Sequence, residues 1–105
     1  MGEERNGTRI EEGKEERRSI KKEAMETKIA VIGIIIEDKR QAEPVNGLLH
    51  QYALYIIGRM GLPYEKRQVS IISIVVDAPG DVISALSGKL GRLPGVSSKA
   101  IHSRV

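Results

Sequence analysis

The chain has 105 residues, 17 Lys/Arg against 14 Asp/Glu for a net charge of +3, no Cys, no Trp, no Phe and three Tyr. Disulfides, thiolate metal sites and Cys nucleophiles are therefore excluded, and the aromatic platforms that stack bases of single-stranded nucleic acid are largely missing. No apolar run approaches the roughly 18 to 20 residues of a membrane-spanning helix, and the start is too charged for a secretory signal, so a cytoplasmic protein with no membrane association is expected.

Residues 1–26 carry 7 basic and 8 acidic side chains, a net of −1, which leaves +4 for residues 27–105. With little apolar beyond Ile10, Ile20, Ala24 and Met25, this extension cannot bury enough surface to repay the entropy of ordering. It reads as a disordered or partly helical arm ahead of one domain spanning 27–105. Met25, just before the first strand, marks an alternative natural start. Arg17, Arg18, Lys21 and Lys22 form a short basic cluster within the arm.

Lys28 to Glu37, KIAVIGIIIE, holds eight consecutive uncharged residues, the composition of a strand covered on both faces. After a charged turn, Ala42, Val45, Leu49, Tyr52 and Ala53 recur at three- and four-residue steps, which predicts an amphipathic helix beginning near Gln41. Pro44 is tolerable there only within the first turn. Leu54 to Leu62 reads as a shorter strand, and Gly61 to Arg67 as the connection to a second strong apolar strand, Val69 to Val76. Asp77 to Asp81 ends that strand and supplies a capping carboxylate and an early-turn proline for a second helix. Val82, Ile83, Leu86, Leu90 and Leu93 form its apolar stripe, Pro94-Gly95 stops it, and Val96 to His102 alternates as an edge strand does.

The predicted order is βαββαβ. Joining it by right-handed crossovers puts the first and third strands in the centre of a four-stranded antiparallel sheet, an α+β ferredoxin-like two-layer sandwich. The two apolar runs fall on those central strands. Both of their alternating sets are apolar, whereas a two-layer domain covers only one face. The bulkier set, Ile32, Ile34, Ile36, Ile72, Ile74 and Val76, is assigned to the helix layer. The other set, Val31, Gly33, Ile35, Ile71, Ser73 and Val75, is left on the open face, where Gly33 and Ser73 would let a second sheet approach. A homo-oligomer, dimer or tetramer, built through Val31, Ile35, Ile71 and Val75 is expected.

No nucleophile, base and orienting group assemble from visible motifs, so an enzyme is not expected. Ser87-Gly88-Lys89 resembles the end of a phosphate-binding loop, but Ile83 and Leu90 stand where that loop needs Gly and Ser or Thr, and the segment lies within a helix. With only His50 and His102, no metal site within one subunit and no cofactor are expected. Ser84, Ser87, Gly88 and Gly91 form a small-residue stripe suited to close packing against the sheet or another subunit, with a ligand groove as the alternative. Asn46, His50, Arg59, Ser87, Gly88 and Lys89 are the candidate ligand or interface residues. A nucleic-acid-associated regulator using Arg59, Lys66, Arg67 and the basic cluster of the arm is the alternative from another class.

The segments VNGLLH (Val45 to His50), RMGLP (Arg59 to Pro63) and ALSGKLG (Ala85 to Gly91), followed by PGV from Pro94, resemble the family of iron-only hydrogenase system regulators over about Lys28 to His102. The resemblance implies an ACT-like domain related in fold to the C-terminal domain of nickel-responsive repressors, and a regulatory role taking a small ligand or a partner protein. The arm is too short for a ribbon-helix-helix module and no Cys completes the repressors' nickel site, so DNA binding and nickel sensing are not carried over.

Overall fold

Alternation of large aliphatic residues on two long strands dictates the architecture. In a computed structural model, which describes residues 26–103, the chain runs β1 (Thr27–Ile36), a 3₁₀ turn (Lys39–Gln41), α1 (Ala42–Gln51), a 3₁₀ turn (Ala53–Tyr55), β2 (Ile56–Tyr64), a 3₁₀ turn (Glu65–Arg67), β3 (Val69–Pro79), α2 (Gly80–Gly91) and β4 (Val96–His102). The strands form one antiparallel sheet in the order β2-β3-β1-β4, the ferredoxin-like arrangement expected from the sequence. The expectations for residues 1–25, including the Arg17 to Lys22 cluster, fall outside the described residues.

The register decides which side chains share a face. Ala30, Ile32 and Ile34 of β1 stand opposite Val76, Ile74 and Ile72 of β3, and all six are buried. Val45 and Leu49 of α1 and Ile83, Leu86 and Leu90 of α2 close over them, with Val96 of β4. The core contains no buried polar or charged residue among the described ones.

Two boundaries differ from the sequence reading, and the start of α1 agrees with it. β2 begins after the 3₁₀ turn at Ala53 and continues through Gly58, Gly61 and Pro63 to Tyr64, with a bulge between Ile56 and Gly58. It is an edge strand, so the missing N–H of Pro63 interrupts no central ladder. β3 runs on through Asp77 and Ala78 to Pro79, which pair with Ile29, Lys28 and Thr27. Pro79 therefore caps α2 in extended conformation instead of lying in its first turn, and no side chain caps that helix; Asp81 sits in the first turn as an acidic residue. The regular part of α1 starts at Ala42, placing Pro44 third, still among the positions whose N–H has no intrahelical acceptor.

Candidate functional site

Two surfaces of the molecule are not explained by the core. The first is a cleft between α1 and β2. Asn46 and His50 are four residues apart and so lie on one face of α1. Arg59 stands opposite buried Ile74 in the register, on the helix side of the sheet. Its Nη2 donates to Asn46 Oδ1 at 2.6 Å, while Asn46 Nδ2 donates to the Ala42 carbonyl at 3.0 Å. Asn46 is thereby fixed with its oxygen toward the guanidinium. The cleft has a volume of about 430 Å³ and is lined by Asn46, Leu49, His50, Ala53, Ile56 and Arg59, within the range of small-ligand sites.

The remaining candidates lie elsewhere. Ser87 Oγ meets Ser98 Oγ of β4 at 3.1 Å, so this part of the small-residue stripe packs α2 against the sheet edge. Lys89 Nζ donates to Tyr52 Oη at 2.9 Å. The ammonium is 5.3 Å from the ring centroid, which together with that short bond places it at the hydroxyl end of the ring and not over its face. Gly88 is inside α2. Asn46, His50 and Arg59 thus line one cleft, whereas Ser87 and Lys89 make contacts between elements and Gly88 has only the Arg92 side chain of its own helix end nearby. Arg59 is separated from Lys66 and Arg67 along β2 and the turn after it, Arg59 to Tyr64 alone spanning about 16 Å at roughly 3.3 Å per residue. Arg67 faces a different hollow, with Ile35, Glu37, Tyr64, Gln68 and Val69.

The second surface is the sheet face opposite the helices. Val31 pairs with Val75 and Ile101, Gly33 with Ser73 and Lys99, and Ile35 with Ile71 and Ser97. From β2, Met60 stands beside Ser73 and Leu62 beside Ile71. Val31, Ile35, Met60, Leu62 and Ile101 are exposed, at 37% to 69%. Above the small residues Gly33 and Ser73 the face sinks into a trough of about 400 Å³, walled by Ile35, Ile71, Ser97 and Lys99 among others. Sequence reasoning found Val31, Ile35, Ile71 and Val75 but missed Met60, Leu62 and Ile101. Their strands alternate weakly, so only the register places them on this face.

No group of three or more His, Asp or Glu side chains suited to a metal comes together among the described residues. No helix among them is long and apolar enough to cross a membrane.

A four-stranded antiparallel sheet with two helices on one face and its other face open is, by class, a small α+β ferredoxin-like domain. The chain belongs to the TM1266-like family, whose name assigns it to the iron-only hydrogenase system as a regulator; the family model matches residues 28–100. It is similar to the solved structure of the uncharacterized protein TM1266 from Thermotoga maritima, with 36% identity, a TM-score of 0.72, and coverage of 75% of this chain and 100% of that one. No curated protein matches the chain.

Proposed function

We propose that this protein is a non-catalytic regulatory domain of the iron-only hydrogenase system that works in the cytoplasm as a homo-oligomer and responds to a small ligand or a partner protein. The observation that carries the reading is the open sheet face. Ile35, Met60, Leu62 and Ile101 share it at 43%, 64%, 52% and 69% exposure, a continuous apolar surface of the kind that marks an interaction site. Four strands at about 4.8 Å spacing and lengths near 30 Å give a footprint of about 570 Å². Two copies face to face would bury on the order of 1,100 Å², above the roughly 1,000 Å² a specific interface needs. The trough over Gly33 and Ser73 suits a second sheet bearing aliphatic knobs.

Assembly linked to folding makes the melting temperature rise with protein concentration. A Tm that climbs over a hundredfold concentration range supports the proposal, and a constant Tm contradicts assembly through this face. For the regulatory role, removing the protein from its host is expected to change the level of iron-only hydrogenase activity. Unchanged activity and transcript would contradict that role.

A further inference from the structure

We infer that the cleft between α1 and β2 binds a small aliphatic monocarboxylate, with Arg59 as the anion-binding group. The inference rests on the ligand-binding part of the proposed function and names the ligand's chemistry. Arg59 has no carboxylate partner among the described residues; its one side-chain bond is the 2.6 Å contact to Asn46 Oδ1. That bond uses a single N–H of a planar group carrying five donors, so the guanidinium is held in place while the rest of its fork stays available. A fork of parallel N–H groups matches the two oxygens of a carboxylate.

The other walls define the rest of the ligand. Leu49, Ala53 and Ile56 give an apolar lining, and His50 lines the cleft beside them. The volume, about 430 Å³, leaves room for a branched chain of a few carbons beside the guanidinium. Charge selects against phosphate. The cleft flanks the last turn of α1, where the carbonyls of Leu48 and Leu49 share the single N–H of Tyr52 at 3.2 Å each. The negative end of the helix dipole lies there and opposes anions in proportion to their charge, a dianion more than a monocarboxylate. One carboxylate charge is matched by Arg59; a dianion is not.

The test is a titration followed by heteronuclear NMR at constant ionic strength, with isovalerate, acetate and inorganic phosphate as probes on the full chain. Isovalerate is expected to give saturable shifts at the Arg59 side chain, the Asn46 amide and Ala53, tighter than acetate or phosphate. Arg59→Gln should weaken isovalerate binding about tenfold or more. Arg59→Lys, which keeps the charge and loses the fork, should also weaken it, and Lys66→Gln should leave it unchanged. Absence of saturable shifts with isovalerate, equal binding by Arg59→Gln in a protein whose spectrum shows an intact fold, or tighter binding of phosphate would overturn the inference. The cleft lies within one chain, and sedimentation of the same samples reads assembly separately. A monomer that binds isovalerate contradicts the oligomer proposal alone, and an oligomer that does not bind it contradicts this inference alone.

Discussion

Gly95 lies against Asp38 with a positive φ of 70°, so close that a Cβ at Gly95 would stand 2.7 Å from Asp38 Cβ and 3.3 Å from the Asp38 backbone nitrogen. Two requirements meet at this residue. The left-handed conformation turns the chain from α2 into β4, and the Gly95 carbonyl accepts from Glu37 N at 2.7 Å, tying the β4 entry to the end of β1. Gly95→Ala is expected to cost about 2 kcal/mol or more, from the backbone conformation and the displacement of Asp38 together. Urea denaturation checks it: the midpoint should fall with the slope unchanged. A midpoint equal to the parent's would show that the turn relaxes freely.

Asp38 itself carries a pH prediction. Its carboxylate accepts from the backbone N, Nε and Nη2 of Arg40, each at 3.0 Å. Hydrogen bonds from the Arg40 side chain and backbone, with its charge, hold the carboxyl below the ordinary aspartate value. Because the folded-state pKa is the depressed one, the associated stability is present above the unfolded value of about 3.9 and is lost as pH falls through the folded pKa. Asp38→Asn should therefore flatten the decline of the urea midpoint below about pH 4 and change nothing in its slope between pH 6 and 8. An identical acid limb in the two proteins would contradict the assignment.

The two faces of the sheet should respond differently to truncation. Ile74 is fully buried against the helices, and Ile74→Ala is expected to destabilise by about 2 to 5 kcal/mol through lost burial and the cavity left behind. Ile35, 43% exposed in the single chain, should cost much less in folding at low protein concentration, where only the monomer's own contacts count. At high concentration its cost should grow as assembly weakens. Melting curves at both concentrations distinguish the cases. Equal costs at both concentrations would mean that Ile35 has no partner.

Much of this fold is legible in the sequence, and the reason is physical. β1 and β3 are long and aliphatic with both alternating sets apolar, and the bulk of one set against the Gly33 and Ser73 of the other picks out the buried residues, Ile32, Ile34, Ile36, Ile72, Ile74 and Val76. Pro94-Gly95 lies just past the end of α2 at Gly91, and the positive φ of Gly95 with its close approach to Asp38 turns the chain into β4. Where the pattern is weak, reading fails. β2 has two glycines, a bulge at Ile57 and a proline, so its start and facing cannot be set locally, and Met60 and Leu62 go unplaced. Pro79 is read as helical because local preference favours it in a first turn, whereas pairing with Thr27 extends β3 to it. The site is legible only as residue types. Asn46, His50 and Arg59 are visible, but their meeting depends on the register of β2 beside β3, a long-range property. Ser87 and Lys89 are drawn instead to Ser98 and Tyr52.

The link between the helices predicts a small effect. Tyr52→Phe removes the hydroxyl that accepts from Lys89 at 2.9 Å, in an exposed setting, where a single neutral acceptor contributes about 0.5 to 1.5 kcal/mol at most. The expected loss is near the lower end. A loss above about 2 kcal/mol in urea denaturation would show that this bond organises the α1–α2 packing.

The central claim is that a second copy covers the open sheet face, and sedimentation of Val75→Lys tests it most directly. Val75 lies between Val31 of β1 and Gly58 of β2 in the register, on the face away from the helices, so a lysine there puts a charge into the centre of the proposed interface. Ile35→Lys, at a more exposed position on the same face, guards against a folding defect specific to Val75. At tens of micromolar the parent should sediment as a defined dimer or tetramer and both folded variants should shift to monomer. A monomeric parent, or folded variants that assemble like the parent, would contradict the account.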